Sequence, residues 1–329
     1  MNLICFDLEG PLAPQDNAYE LMKLFPHGGK IFEVISRYDD LLTLEGRPDY
    51  EPGDTLALII PFLAYHGIEE EQIAAMGQKA ELTPGATTLI AKLKSRGWYI
   101  FCISTSYEQY AFPITQRLDI PSDNVACTSF PLAQIRKLLS RDEFALLKQT
   151  EQEIVNLNPF TDDTRIKEYL DHFYWQKLPQ TRWGRVISQV KPVGGRRKVE
   201  ALEKFSTRMG KPLSHWAVVG DSITDFKMLQ AVNKTGGLAI AFNANEYALP
   251  YSTVSLASVS LYDLWIILEV WEKGGRQDVE KAVKEKEKAG GAGDRGWLHW
   301  LDGTKDITPA LEIHKRIRRL VREEAAKLG

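Results

Sequence analysis

Short apolar runs alternate with helical segments along most of this 329-residue chain, and this alternation limits its fold more than any other feature. The runs have the length of buried strands and are bounded by turn residues. They are Leu3–Phe6, Trp98–Ile103, 124–129, Trp216–Val219 and Gly237–Phe242. Segments with helical periodicity separate them, namely Ala86–Ser95, 107–118, Arg196–Met209 and 224–232. Strands that alternate with helices form a parallel sheet covered on both faces. We therefore expect an α/β fold with a Rossmann-like parallel sheet.

Two long segments interrupt this alternation. Residues 13–82 show helical patterns without an alternating strand signal, and residues 131–188 have the pattern of helices rich in charged and aromatic side chains. We predict that both are insertions into one core, which comprises residues 1–12, 83–130 and 189–270. The Lys- and Glu-rich stretch after this core ends in the Gly-rich segment 289–293. We expect residues 271–329 to be a charged C-terminal helical extension with an exposed helix and a flexible linker.

The last helix, predicted at about 309–327, combines an apolar stripe with many basic residues. Its apolar positions are Leu311, Ile317, Leu320 and Val321. Lys and Arg occupy its other faces, Arg318 and Arg322 among them. Such a stripe is typical of a solvated helix that packs on its own domain through the apolar face. A docking helix for a partner protein or an anionic surface is the alternative.

The overall charge and hydropathy exclude two classes of partner. The net charge is −3 and the isoelectric point about 6.1, so the chain has no global attraction to nucleic acid. The apolar stretch 261–271 contains Asp263 and Glu269 and is too short to cross a bilayer, so we expect no transmembrane segment. The three cysteines lack the spacing of metal ligands, which suits a reducing compartment and predicts a cytoplasmic protein.

Polar residues suited to phosphoryl transfer follow three of the predicted strands. Asp7 and Glu9 follow the first, Ser104 the second, and Asp221 a later one, with Asp225 one helical turn further on. Ligands bind beyond the carboxyl ends of parallel strands, so we expect these side chains to converge. Carboxylates alone would repel a phosphate, and an all-oxygen ligand set favours Mg²⁺ as the bridging cation.

A lysine near the carboxylates would supply the remaining positive charge. Lys198 lies on the helix predicted at Arg196–Met209, and Lys191 lies in the loop before it. Helix placement favours Lys198, and Lys191 stays open as the alternative.

Four short segments, in order, resemble the motifs of the haloacid dehalogenase (HAD) superfamily. Asp7-Leu-Glu-Gly-Pro resembles the first motif, Ile103-Ser104 the second, Lys198 the third and Gly220-Asp221-Ser-Ile-Thr-Asp225 the fourth. The resemblance covers about residues 1–130 and 190–250 and is strongest to the phosphoserine phosphatase-like branch. The Asp-Leu-Glu-Gly form also resembles phosphoserine:homoserine phosphotransferases. The segment from Glu9 to Glu20 is similar to archaeal HAD proteins known as energy-converting hydrogenase A subunit R.

This resemblance implies a HAD core with helical caps and a specific set of roles. Asp7 would be the nucleophile, Glu9 the general acid and base, and Ser104 a donor to the phosphoryl group. Lys198 would offset the negative charge. The implied Mg²⁺ ligands are Asp7, Glu9 through its backbone carbonyl, Asp221 and Asp225.

The resemblance also implies that residues 13–82 are a C1-type cap that sets substrate specificity. Asp16, Asn17 and Glu20 open its first helix beside Asp7 and are candidate substrate contacts, as is Thr105 beside Ser104. The expected activity is hydrolysis of a small phosphorylated metabolite through an aspartyl-phosphate.

Glu9 departs from the family pattern, in which most phosphatases have aspartate at this position. The longer side chain changes the geometry of proton transfer, which leaves transfer to an amino alcohol open as an alternative outcome. A regulatory or assembly subunit that retains the fold and binds a protein through its cap or C-terminal helix is the other alternative.

Overall fold

A computed structural model describes residues 2–137, 140–288 and 296–322. In these ranges seven strands form one sheet in the order β3-β2-β1-β4-β5-β6-β7. The strands are β1 (Asn2–Phe6), β2 (Trp98–Tyr107), β3 (Val125–Thr128), β4 (Trp216–Gly220), β5 (Leu238–Phe242), β6 (Val254–Ala257) and β7 (Trp297–Trp300). The first six are parallel, and β7 pairs with β6 in the antiparallel direction. The predicted α/β class with a mostly parallel sheet is confirmed.

Helices cover both faces of this sheet. Those between β1 and β2 are α1 (Asn17–Met22), α2 (Gly28–Leu44), α3 (Thr55–Tyr65), α4 (Glu70–Lys79) and α5 (Ala86–Ser95). Between β2 and β4 lie α6 (Glu108–Arg117), α7 (Leu132–Arg136), α8 (Arg141–Val155), α9 (Asp163–Asp171), a π-helical turn (His172–Lys177), α10 (Arg182–Ile187) and α11 (Arg196–Met209). The remaining helices are α12 (Phe226–Lys234), α13 (Trp265–Lys288) and α14 (Thr308–Arg322).

The central strand β1 is buried on both sides, as its unbroken apolar sequence predicts. Ile4 and Phe6 belong to the core on one face of the sheet, and Leu3 and Cys5 to the core on the other. All four are fully buried. Burial of a large apolar side chain of this kind stabilises a fold by about 1.5–3 kcal/mol. This packing fixes the position of the end of β1 and of Asp7, which follows it.

The two predicted insertions pack against each other. Arg37 on α2 forms a two-pronged ion pair with Asp163 on α9, with N–O distances of 2.8 and 2.6 Å. Tyr174 of the π-helical turn donates a hydrogen bond to the carbonyl of Leu58 on α3 (2.8 Å). The helices inserted after β3 therefore support the helices inserted after β1, whose residues face the ends of the strands.

The C-terminal region differs from the prediction in two ways. It is not purely helical, because Trp297–Trp300 form β7 and extend the sheet at its edge. The buried face of α14 is also not the predicted apolar stripe, since Leu320 is 67% exposed while Arg318 and Arg322 are buried. Both arginines reach a buried carboxylate, which outweighs the preference of apolar side chains for the interior. The predicted linker at 289–293 and the helix beyond residue 322 lie outside the described residues.

Within those ranges, none of the helices combines the length and the apolar composition that crossing a membrane requires.

Candidate active site

Two acidic residues meet at the ends of the two central strands. Asp7 follows β1, and its N–H donates to the carbonyl of Val219 on β4 (2.8 Å), which extends the pairing of these strands by one residue. Asp221 follows β4 directly. Together with Asp225, the two residues offer three ligand oxygens within 4.8 Å of one another, and all three carboxylates are buried. This is the edge at which parallel α/β sheets bind ligands.

Lys198 connects two of these carboxylates. It lies in the first turn of α11 and is fully buried, and its Nζ donates to Asp7 Oδ1 (2.7 Å) and to Asp225 Oδ1 (2.6 Å). Burial opposes its charge, but the carboxylates of Asp225 and Asp7 outweigh that effect and hold the pKa of Lys198 above its usual range. Lys191 is exposed and borders a different cavity. The structure thus brings Lys198, and not Lys191, to the carboxylates.

Asp225 shapes the turn after β4. Its Oδ2 accepts hydrogen bonds from the N–H groups of Asp221 (3.0 Å) and Ser222 (3.1 Å), while Lys198 holds its Oδ1. The spacing of four residues between Asp221 and Asp225 is what allows the second carboxylate to fold back onto this turn. Asp225 therefore orients Asp221 as well as adding a charge.

The two oxygens of Asp7 have different surroundings. Oδ1 accepts from the N–H of Leu8 (2.8 Å) as well as from Lys198, and the described hydrogen bonds to this carboxylate all go to Oδ1. Burial, together with the nearby charge of Asp225, raises the pKa of Asp7 well above its usual range, and Lys198 opposes this shift. Oδ2 is therefore the oxygen left for forming a new bond.

The carboxylate of Asp221 is divided in a similar way. Its Oδ2 accepts hydrogen bonds from Arg318 and, at 2.7 Å, from Arg322, whereas its buried Oδ1 has no partner in the part of the chain that the structure describes. An unpaired buried carboxylate oxygen costs several kcal/mol unless a cation or donor reaches it. The three carboxylates with this free oxygen fit a hard divalent cation such as Mg²⁺, which binds oxygen ligands.

Glu9 lies at the mouth of the site. Its Oε1 accepts a hydrogen bond from the N–H of Asn17 at the start of α1 (2.6 Å). Burial, reinforced by the charge of Asp16, raises the pKa of Glu9 to about 7. A carboxyl with this pKa exchanges protons readily near neutral pH, which is the property of a general acid and base.

A cavity of about 100 Å³ opens above the carboxylates. It is lined by residues of β2, of α1, α2, α3 and α14 and of the loops beside them, namely Asp7, Glu9, Asp16, Ala18, Phe32, Ser36, Asp39, Asp40, Gly53, Thr55, Leu56, Thr105, Asp221, Ser222, Ile223, Thr224, Arg318 and Arg322. Of the four predicted substrate contacts, Asp16 and Thr105 face it. Asn17 and Glu20 are not among the described lining residues, and Glu20 instead pairs with Lys23 on α1.

Ser104 does not reach this cavity either. It is fully buried, and its Oγ accepts a hydrogen bond from the N–H of Ser106 (3.0 Å). β2 continues to Tyr107 and does not end at Ile103, and its register with β3 shifts between Ile103 and Tyr107. In this stretch Thr105 is the residue that lines the cavity.

Gly10 allows the first loop to pass close to Asp221. Its φ is +99°, and a Cβ at this position would lie 2.5 Å from Cγ of Asp221. Only glycine combines this backbone conformation with that close approach. The glycine in the first motif thus has a geometric role at the site.

Arg318 and Arg322 are the site residues that sequence reasoning missed. Their spacing of four residues places both on one face of a helix. That spacing was visible in the sequence, but no pattern indicated that this basic face would be buried against a carboxylate.

Comparison with known proteins identifies two that are similar in sequence to this chain. No family model matches the chain. A phosphoserine phosphatase from Streptomyces coelicolor is 26% identical over 245 residues, which cover 74% of this chain and 44% of that protein. The chain thus spans less than half the length of this relative. The solved structure of a gene product of Archaeoglobus fulgidus is 28% identical, with a TM-score of 0.84 over 100% of this chain and 99% of that one.

The first and fourth motif segments follow β1 and β4, the second lies within β2, and Lys198 lies on α11. A relative with 26% sequence identity is a phosphoserine phosphatase. The chain has the HAD fold of the phosphoserine phosphatase-like branch. The similarity to energy-converting hydrogenase A subunit R stays a prediction. Along the chain, the site comprises the loop that begins at Asp7, the helix α11 with Lys198 and the turn with Gly220 and Asp221.

Proposed function

We propose that this HAD protein is a Mg²⁺-dependent phosphomonoester hydrolase that acts through an aspartyl-phosphate on Asp7. The observation that carries the proposal is the position of Lys198, whose Nζ contacts both Asp7 and Asp225 beside the unpaired oxygen of Asp221. Such an arrangement suits phosphoryl transfer, in which positioning and charge neutralisation supply most of the catalysis.

Asp7, Asp221 and Asp225, with the backbone carbonyl of Glu9, would hold the cation. When bound, Mg²⁺ would neutralise the carboxylates and attract the phosphate dianion to Asp7. Lys198 keeps Asp7 oriented through Oδ1 and offsets the charge that develops on the transferred group.

Two proton transfers by Glu9 complete the reaction. Oδ2 of Asp7 attacks phosphorus, the bond from phosphorus to the leaving oxygen breaks, and Glu9 donates its proton to that oxygen. Glu9 then takes a proton from water, the water oxygen attacks phosphorus, and the bond to Asp7 breaks. The pKa of about 7 for Glu9 supports both directions of transfer.

The small cavity supports a small substrate, and the name of the Streptomyces relative makes O-phosphoserine the first compound to test. Phosphate release from a panel of small phosphomonoesters would be measured with Mg²⁺ and with a chelator, for the wild type and Asp7→Asn. We expect release that needs both Mg²⁺ and Asp7. Release that survives the chelator or the substitution would refute the proposal.

Added amino alcohols distinguish hydrolysis from transfer. If the phosphoenzyme transfers its phosphoryl group to an amino alcohol faster than to water, the activity is that of a phosphotransferase and not that of a hydrolase. Absence of both turnover and a beryllofluoride adduct on Asp7 would favour the regulatory subunit instead.

A further inference from the structure

The face that α14 buries carries three polar residues after Ala310. The buried residues, spaced by four, are Ala310, His314, Arg318 and Arg322. His314 Nδ1 accepts a hydrogen bond from the N–H of Ala244, in the loop after β5 (2.8 Å). This contact docks the helix beside the active site and directs the two following positions of the same face at Asp221.

Arg318 and Arg322 both reach the carboxylate of Asp221, and each is anchored by a second contact. Arg318 also donates to the carbonyl of Asn243 (3.2 Å), and Arg322 to the carbonyl of Pro14 in the loop after β1 (3.0 Å). Arg322 therefore links the loop that carries Asp7 to the turn that carries Asp221. Guanidinium groups held in this way fix the rotamer of the carboxylate they contact.

Both arginines bind the same oxygen of Asp221. Oδ2 accepts their hydrogen bonds, and the buried Oδ1 has no hydrogen-bond partner among the described residues. One oxygen of Asp221 lies within 4.8 Å of a carboxylate oxygen of Asp7 and of Asp225. A cation at Oδ1 would share the carboxylate with the arginines and would not displace them. Groups that hold the second oxygen of a metal ligand orient it, and their loss commonly weakens metal binding about 10–100-fold.

The charges at the site agree with a role of the two arginines in orienting Asp221. Three buried carboxylates each have one oxygen within 4.8 Å of the others, and Lys198, Arg318 and Arg322 supply three positive charges beside them. Without the arginines, Asp221 would face two carboxylates with both of its oxygens unpaired. Repulsion between the like charges would then favour a rotamer that turns Asp221 away from this position.

We infer that Arg318 and Arg322 are positioning residues that hold Asp221 for the divalent cation, which makes α14 a part of the metal site. The inference rests on the proposed function, because it requires that Asp221 binds a cation. It extends the catalytic centre from Asp7, near one end of the described chain, to Arg322, near the other.

The test measures Mg²⁺ binding by calorimetry on the full chain after removal of metal. Arg318→Gln and Arg322→Gln remove the charges, the corresponding Lys variants keep them, and Arg319→Gln is the matched control on the exposed side of α14. We expect each Gln variant to raise the dissociation constant for Mg²⁺ about tenfold or more, and each Lys variant by less. Arg319→Gln should bind like the wild type.

Urea unfolding in the presence of a chelator shows which variants are folded. If a Gln variant is unfolded, the comparison of the corresponding Lys variant with the wild type still tests the inference. If the folded variants bind Mg²⁺ as tightly as the wild type, or more tightly, the inference about the arginines is overturned and the proposed function is unaffected. A wild type that binds no Mg²⁺ would overturn the proposed function and this inference with it.

Discussion

Lys198 Nζ lies 2.7 Å from Oδ1 of Asp7, although 191 residues separate the two in the chain. Neither side chain is exposed enough to reach bulk water freely, and Asp225 is the second buried carboxylate that balances the charge of Lys198. The contact joins the first strand to α11 and places a fixed positive charge beside the proposed nucleophile.

Lys198→Met should abolish most of the activity. The variant leaves Asp7 and Asp225 without their shared counter-charge, so we expect kcat to fall roughly 10²–10³-fold or more. Lys191→Met is the matched control, since Lys191 is exposed and contacts neither carboxylate, and it should keep kcat within about twofold. Equal losses in the two variants would contradict the assignment of the lysine.

Asp7→Asn should remove activity without removing the fold. The amide oxygen can still accept hydrogen bonds from Leu8 and Lys198, and the substitution removes a buried charge whose pKa is raised by burial and by Asp225. We therefore expect a melting temperature at neutral pH, with metal chelated, equal to or above that of the wild type. A clear decrease in the melting temperature would show that the Asp7 charge stabilises the fold.

Gly10→Ala should weaken both the fold and Mg²⁺ binding. Its Cβ would collide with Asp221, and its φ of +99° is unfavourable for alanine, so we expect a loss of about 1–3 kcal/mol in unfolding free energy. Gly97→Ala separates the two effects, because Gly97 also has a positive φ (+76°) but nothing lies within 4 Å of its added Cβ. Only Gly10→Ala should raise the dissociation constant for Mg²⁺, and equal metal binding in both variants would argue against the close packing on Asp221.

His314 should make the protein less stable in acid. Burial, then the nearby His299 and Arg318, lower the pKa of His314 to about 3 from 6.5. The folded state thus binds fewer protons than the unfolded state between these values, so stability is full above pH 6.5 and is lost as the pH falls towards 3. The loss attributable to this group should reach about 2 kcal/mol at pH 5.

His314→Asn tests this linkage by chemical denaturation at pH 7.5 and pH 5. Asparagine can accept the hydrogen bond from Ala244 but cannot take up a proton. The wild type should therefore lose more stability than the variant between the two pH values. Parallel losses would assign the acid sensitivity to other groups.

The strand ends were predictable because the central strands are continuous apolar runs. β1 and β4 begin and end within one or two residues of the predicted bounds, and α11 spans Arg196–Met209 as expected. Once these strands are parallel, the residues after them must meet at one edge, which is why Asp7 and Asp221 could be paired from the sequence.

The pairing of β6 with β7 was not predictable. β6 and β7 have only four residues each, and their pairing joins residues on either side of the long helix α13. The face of α14 was predicted wrongly because periodicity places apolar side chains inside. Here the buried carboxylate of Asp221 decides which face turns inward.

Some expectations remain predictions. These are the division of the chain into core, cap and second insertion, the cytoplasmic location, the identity of the substrate and a protein partner at the cap or the C-terminal helix. Each depends on an interaction with something outside the chain or on independent folding of its parts.

The most direct test of the proposed chemistry is to map the phosphoenzyme. The protein would be mixed with Mg²⁺ and its best phosphomonoester, quenched in acid, reduced with borohydride and digested for mass spectrometry. Reduction converts an aspartyl-phosphate to homoserine, and we predict this change at residue 7 and its absence in Asp7→Asn. Turnover with an unmodified residue 7, or modification at another carboxylate, would contradict the account.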